Sequence, residues 1–246
     1  MAQADGPRAV VWGLQGTAPA TTPVALWGIG TSRALRAHWM LTELGVPYTS
    51  YRIQSRTGET MSAEYLALNP RHKIPLLQHG DLTLTESAAI IHYLAEAFAI
   101  PDSLFIPMDA VQRAKVNEWC YFIMNELDGH TLYLIRRHVG LRHIYGEAPD
   151  AVESARVYFR VQIEALAPRF EALSAYLFGE RLSIADMLLT TCLEWAASAG
   201  IAVPHSVSAY CDRVGARPAY AEAKRRNDPA AWACAGALPF SLERCV

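Results

Sequence analysis

The chain has 246 residues, 52% of them hydrophobic, enough apolar surface for one large core or two smaller ones, so disorder as the main state is excluded. Its 22 basic and 24 acidic residues leave a net charge of -2 at pH 7, without the polycationic surface that drives counterion release from nucleic acid, and no nucleic-acid partner is expected. The five cysteines (Cys120, Cys192, Cys211, Cys234 and Cys245) are odd in number and widely spread, which fits neither a disulfide framework nor paired metal ligands; a reducing cytoplasm and no bound metal are expected.

Met1 to Pro23 lacks the basic start and long apolar run of a secretory signal and is punctuated by Ala, Gly, Thr and Pro, so residues 1–23 are read as a flexible extension. No stretch approaches about 18 uninterrupted apolar residues, and no membrane association is expected. The apolar run Val24 to Ile29 meets Gly30-Thr31-Ser32, the pattern of a buried strand entering a turn. From Arg33 to Leu44, Leu35, Trp39, Met40, Leu41 and Leu44 recur at helical spacing, and Gly45 with Pro47 ends the helix. Tyr48 to Ile53 alternates as a second strand, giving a βαβ-type opening. A short helical piece, the turn Asn69-Pro70, a strand Lys73 to Gln78, the turn His79-Gly80-Asp81, a strand Leu82 to Leu84 and a helix Ser87 to Phe98 follow. Beyond Pro107 the strand-like alternation gives way to helical segments over Asp109 to His138, Asp150 to Leu177 and Ile184 to Ser198. The expected layout is a domain over 24–98, a linker over 99–108 and an all-helical domain over 109–246.

Gly28-Ile29-Gly30-Thr31-Ser32-Arg33, between strand and helix, raises the dinucleotide-binding fingerprint, but Arg33 replaces the third glycine and the second strand ends on Gln54 and Ser55 without an acidic residue for a ribose. No phosphate-binding loop, zinc-protease helix or nucleophile elbow occurs. Ser183-Ile184-Ala185-Asp186 has the spacing of a capping box with Asp in place of Glu, and is read as a folding element.

Asn69-Pro70-Arg71-His72-Lys73-Ile74-Pro75-Leu76-Leu77, with Leu84-Thr85-Glu86-Ser87-Ala88-Ala89-Ile90 downstream, resembles the cytosolic glutathione S-transferases. The element order before the linker and the helices after it extend the likeness over roughly residues 24–246. The resemblance implies an α/β thioredoxin-like domain followed by an all-α domain, glutathione as co-substrate, and a detoxifying transferase that pairs as a homodimer. A proline opening an edge strand lacks an N–H, and a cis Ile74–Pro75 bond, as in the family, turns the Ile74 backbone toward an extended peptide. Glu86 and Ser87, at a helix start, are implied to bind the amine and carboxylate of the γ-glutamyl group, and His72 and Lys73 the glycyl carboxylate.

Catalysis in such enzymes keeps the glutathione thiol ionised. The first tyrosine is Tyr48 and the first cysteine Cys120, both past the first helix, so the resemblance points to a serine-type, bacterial-like member with Ser32 as the thiol's partner, Thr31 as its direct rival and Arg33 as an electrostatic aid. An ordinary helix cap is the competing reading of Thr31 and Ser32. Trp119, Tyr121, Phe122, Asn125 and Tyr133, with Trp232 and Phe240 from the tail, are candidates to line the pocket for a small, largely apolar electrophile. Arg136-Arg137-His138 is read first as complementing a helix dipole and second as binding an anionic acceptor. Dehalogenation, ether cleavage or isomerisation by the same thiolate, or a non-catalytic ligand carrier, are the alternatives.

Overall fold

The computed structural model describes residues 21–232. The first domain runs β1 (Val24–Ile29), α1 (Ser32–Glu43), β2 (Thr49–Gln54), a 3₁₀ turn (Glu59–Met61), α2 (Ala63–Leu68), β3 (Leu76–His79), β4 (Leu82–Thr85) and α3 (Ser87–Ala97). The sheet order is β2-β1-β3-β4, with β2 parallel to β1 and the other pairs antiparallel. β1 and β3 are therefore central; the continuous apolar sequence of β1 and the Leu76-Leu77 pair of β3 suit burial on both faces. Alternation divides them: Leu26 and Leu77 join the main core with α1 and α3, while Trp27 and Leu76 enter a smaller core with Ile53 of β2 and Tyr65 of α2.

The central position of β3 corrects the expectation that Pro75 opens an edge strand. Pro75 is accommodated because it precedes Leu76, the first residue of β3 to pair with both β1 and β4, so its missing N–H costs no ladder bond. The Ile74–Pro75 peptide is cis. Opposite Ile74 stands Gly28, where the β1–β2 register shifts by one residue on the β2 side; its φ is +119° and a Cβ there would stand 2.6 Å from the Ile74 Cβ. The Gly28 carbonyl accepts from His38 Nε2 at 3.1 Å; Nδ1 of the neutral ring is then left to accept from the Tyr48 hydroxyl at 2.7 Å.

The second domain holds α4 (Ala110–Phe122), a π-helical stretch (Ile123–Leu132), the single turn α5 (Tyr133–Ile135), a second π-helical stretch (Arg136–Gly140), α6 (Arg142–Tyr145), α7 (Pro149–Glu171), α8 (Ile184–Ser198), α9 (His205–Gly215) and α10 (Pro218–Asn227). The long helix expected over Asp109 to His138 thus forms, but its middle is wound more widely, as in the bond from the Tyr133 N–H to the Asp128 carbonyl. α7 ends at Glu171, short of the expected Leu177, whose N–H donates instead to the Asp186 carboxylate at 2.9 Å. Asp186 also closes the capping box with Ser183 and accepts from the Tyr210 hydroxyl at 2.6 Å, the folding role expected of it. In the linker, the Phe105 N–H donates to the Leu182 carbonyl at 2.8 Å and the Leu182 N–H to the Ser103 carbonyl at 3.1 Å, which staples residues 103–105 to the loop before α8.

Across the domains, Arg36 of α1 is fully buried and donates to Asp128 Oδ2 at 2.7 Å, Thr191 Oγ1 at 2.8 Å and Ser87 Oγ at 3.2 Å. Asp128 Oδ1 accepts from Arg33 Nε at 3.0 Å. Burial works to raise the Asp128 pKa, but Arg36 and Arg33 win and hold its carboxyl below the usual range.

Removing Asp128 leaves Arg36 buried without its counter-ion, so Asp128→Ala is expected to cost about 3–5 kcal/mol in chemical denaturation, against under about 0.5 kcal/mol for Lys115→Ala in an exposed pair with Glu118. Burial lowers the His38 pKa from 6.5 to about 4, so the unfolded chain binds the extra proton first. Stability from this group is complete above pH 6.5 and lost as pH falls toward 4, by up to about 3 kcal/mol, and that part of the pH slope disappears in His38→Gln.

Candidate functional site

Thr31 caps α1 in extended conformation, its Oγ1 accepting from the Ala34 N–H at 3.0 Å. Ser32 is the first helical residue and half-buried, and among the described residues no protein group bonds its hydroxyl. The loop carrying both is held from the far end of the chain. The Gly30 N–H donates to the Asn227 carbonyl at 2.8 Å and side-chain Oδ1 at 3.0 Å, and Asn227 Nδ2 donates to the Thr31 carbonyl at 3.2 Å. A Cβ on Gly30, whose φ is +77°, would come 3.0 Å from Pro229.

Across from α1 stands the Asn69–Pro75 loop. Asn69 is buried and folds it, accepting from the Arg71 N–H at 3.1 Å and donating to the Lys73 carbonyl at 2.8 Å, which also accepts from the Tyr65 hydroxyl at 2.6 Å. His72 is half-buried with φ +45°, Lys73 is exposed, and Ile74 lies before the ladder begins at Leu76. Thr85 pairs with Leu76, so Glu86 and Ser87 follow beside Pro75. Glu86 has φ +69° and an exposed carboxylate 3.0 Å from Arg71 Nη1, while Arg71 Nη2 donates to Thr85 Oγ1 at 2.6 Å. Ser87 differs from Glu86 in facing inward: it is buried, and its hydroxyl accepts from Arg36, leaving the start of α3 to present its backbone N–H groups.

Between these loops lies a cleft of two adjoining cavities. The larger, about 210 Å³, is lined by Thr31, Arg33, Ser55, Arg56, Gly58, Thr60, Met61, His72, Lys73, Ile74, Tyr133 and Arg136. The smaller, about 190 Å³, is lined by Gly30, Thr31, Ser32, Arg33, Tyr133, Arg136 and Trp195. The structure thus brings together Ser32, Thr31, Arg33, His72, Lys73 and Ile74. It does not bring Trp119, Tyr121, Phe122 or Asn125 to the cleft. Trp119 is buried in the helical core, edge-on to Phe122 at 6.0 Å, whereas Tyr121 and Asn125 point to solvent. Beyond Phe122 the wider winding shifts the facing of the residues that follow, and there Asp128 meets α1 and Tyr133 and Arg136 meet the cleft. Phe240 lies outside the described residues, and so does any account of the Trp232 side chain.

Sequence reasoning gave no site role to Asn227, Arg56, Arg71 or Trp195. Asn227 and Trp195 carry no local signal, since each reaches the cleft only through the packing of helices distant in sequence, whereas Arg71 stands inside the recognised loop motif. Arg33 stacks over the Tyr133 ring at 4.5 Å. Burial, with Arg56 and Arg33 nearby, depresses the Arg136 pKa. Burial pushes the thiols of Cys120, Cys192 and Cys211 up to about 12, so none is a ready thiolate. Among the described residues no three His, Cys, Asp or Glu side chains gather as a metal site, and no helix is long and apolar enough to cross a membrane.

Comparison with known proteins adds an independent line. Residues 22–96 match the model of the glutathione S-transferase N-terminal domain, and residues 122–218 that of the C-terminal domain. Glutathione S-transferase GstA of Escherichia coli O157:H7 is 31% identical over 193 residues, 75% of this chain and 89% of the relative. Glutathione S-transferase theta-1 of Bos taurus is 28% identical over 187 residues, 75% and 73% of the two chains. Among solved structures, a glutathione transferase homolog from Drosophila mojavensis with bound glutathione superposes with a TM-score of 0.70 at 28% identity, over 84% of this chain and 94% of the other. The glutathione transferase URE2P6 from Phanerochaete chrysosporium, in complex with oxidized glutathione, reaches a TM-score of 0.72 at 22% identity, over 84% and 97%. A four-stranded βαβ–ββα sheet, a cis Ile74–Pro75 peptide and two matching domain models in the same order lead to one conclusion: the chain belongs to the glutathione S-transferase family.

Proposed function

We propose that the chain is a glutathione transferase, and that the hydroxyl of Ser32 holds the glutathione thiol as its thiolate. The observation that carries this reading is the Ser32 side chain itself, free of helix-capping duty and facing the cleft that the Ile74 loop closes from the other side. A free thiol titrates near pH 8.5, and a hydrogen bond to the charged form is worth about 1.5–3 kcal/mol, which lowers the thiol pKa by about one to two units. The start of α1 adds its positive dipole end. Thr31 has its hydroxyl oxygen already engaged by Ala34, which ranks it behind Ser32.

The rest of glutathione follows from charge. Glu86 and Arg71 form an exposed pair of opposite sign, the complement of an α-amino acid group, with Glu86 for the ammonium and Arg71 and the first N–H groups of α3 for the carboxylate. The Ile74 backbone receives the peptide, and Lys73, His72 and Arg56 face the glycyl carboxylate. The thiol proton leaves to water, the sulfur forms a bond to the electrophilic carbon, and the leaving group departs with the electron pair of the bond that breaks. On this reading the protein works as a paired copy in the reducing cytoplasm, where its cysteines stay as thiols.

Calorimetric titration with glutathione should show binding to the parent and an affinity about tenfold or more weaker in Glu86→Ala, the loss of one charge-assisted contact. Unchanged affinity would remove Glu86 from the site. In conjugation assays with 1-chloro-2,4-dinitrobenzene, Ser32→Ala should move the acidic limb of the kcat/KM profile, where the thiol ionises, upward by about one to two pH units, since the variant no longer stabilises the charged form. Thr31→Ala should mainly cost about 1 kcal/mol of stability through the lost cap. A shifted profile in Thr31→Ala with none in Ser32→Ala would transfer the role to Thr31.

A further inference from the structure

Resemblance to the family leads to the expectation of a largely apolar electrophile, yet the smaller cavity, next to Ser32, has no aliphatic side chain among its lining residues. Its walls are the Thr31 and Ser32 hydroxyls, the guanidinium groups of Arg33 and Arg136, and the rings of Tyr133 and Trp195. No acidic side chain lines either cavity among the described residues. The two arginines are not equivalent. Arg33 is answered by Asp128, although that carboxylate is shared with the buried Arg36, so two cations stand against one anion. Arg136 forms no ion pair among the described residues, and the hydrogen bond it makes is a long one, 3.4 Å, to the Ser55 hydroxyl. A half-buried guanidinium crowded by Arg56 and Arg33 is an unfavourable arrangement for the empty protein, and it becomes favourable once an anion arrives.

We infer that the electrophile bears an oxyanion, a carboxylate or sulfonate on a small aromatic ring, with Arg136 binding the oxyanion and Tyr133 and Trp195 flanking the ring. This inference rests on the glutathione reading and refines its substrate class. Arg136 and Tyr133 line both cavities, but His72, Lys73 and Arg56, assigned to the glycyl carboxylate, line only the larger one, whereas Ser32 and Trp195 line only the smaller; the oxyanion of the electrophile is assigned to Arg136 on the side of the smaller cavity. The planar guanidinium of Arg136 offers two parallel N–H donors, the geometry that matches a carboxylate. Of the two readings open to Arg136-Arg137-His138 in the sequence, the second, an anionic acceptor, is the one Arg136 supports.

The test uses binding, so it does not depend on finding the natural substrate. Glutathione, S-benzylglutathione and S-(4-carboxybenzyl)glutathione are titrated calorimetrically into the parent, Arg136→Gln and Arg136→Lys. The carboxylated analogue should bind the parent about tenfold tighter than the benzyl analogue, and Arg136→Gln should erase that preference while Arg136→Lys keeps part of it. Equal or weaker binding of the carboxylated analogue to the parent, or a preference that survives in Arg136→Gln, overturns the inference and leaves the glutathione reading standing. A parallel loss of affinity for all three ligands in both variants assigns Arg136 to glutathione itself and also overturns it. Failure of glutathione to bind the parent removes both readings together.

Discussion

Asp128 is the point on which the two domains turn. Its carboxylate sits in the interior between Arg36, which has no exposure at all, and Arg33, which reaches out to the cleft. Arg36 depends on this charge most, because a buried guanidinium left without its counter-ion is strongly destabilising, whereas Arg33 keeps part of its side chain in solvent. The remaining donors of Arg36 are spread over Thr191 and Cys192 on α8, Met124 on the helix that carries Asp128, and Ser87 at the start of α3. One side chain of the first domain therefore ties together three helices, two of them from the second. The relative position of the domains, and with it the width of the cleft, is set by hydrogen-bond geometry and not by apolar contact alone.

The same helix does two jobs that pull in different directions. Its interior half, from Ala34 to Leu41, is buried and carries the core, while its first turn must stay open to solvent and hold hydroxyls toward a ligand. The division is possible because the cap is supplied by Thr31, leaving Ser32 without a structural duty, and because His38 and Arg36 satisfy their polar atoms inside the protein. On the other side of the cleft, the close approach of Gly28 to Ile74 serves the same end: the absence of a side chain at Gly28 lets the cis-proline loop lie against the strand.

Most of the first domain was legible from residue order. Gly30-Thr31-Ser32 after an apolar run, Gly45 before Pro47, and His79-Gly80-Asp81 between two short apolar runs are local signals, and the observed elements begin and end close to them. The place of Pro75 was not legible, because whether a strand is central or at an edge depends on β1 inserting between β2 and β3, which no local pattern encodes. Asp128 looked like any acid on a helical face; its role appears only with Arg36, 92 residues earlier in the chain. The facing of the pocket was misread for a related reason. Of the candidates on this helix, Trp119, Tyr121, Phe122 and Asn125 fell on the core and the outer surface, while Tyr133, beyond the stretch where the winding widens, took the cleft together with Arg136. Ser87 was located correctly as the start of a helix, but its hydroxyl belongs to the buried arginine.

The bond between Gly30 and Asn227 joins positions 197 residues apart. During synthesis the β1–α1 turn leaves the ribosome early, whereas the groups that receive the Gly30 N–H and steady the Thr31 carbonyl are among the last of the helical domain to appear. A nascent chain that has already formed the four-stranded sheet therefore still lacks the brace on its β1–α1 turn. The brace arrives with α10, so a partly made protein with a folded first domain, or that domain in isolation, would carry Thr31 and Ser32 without the support that positions their turn.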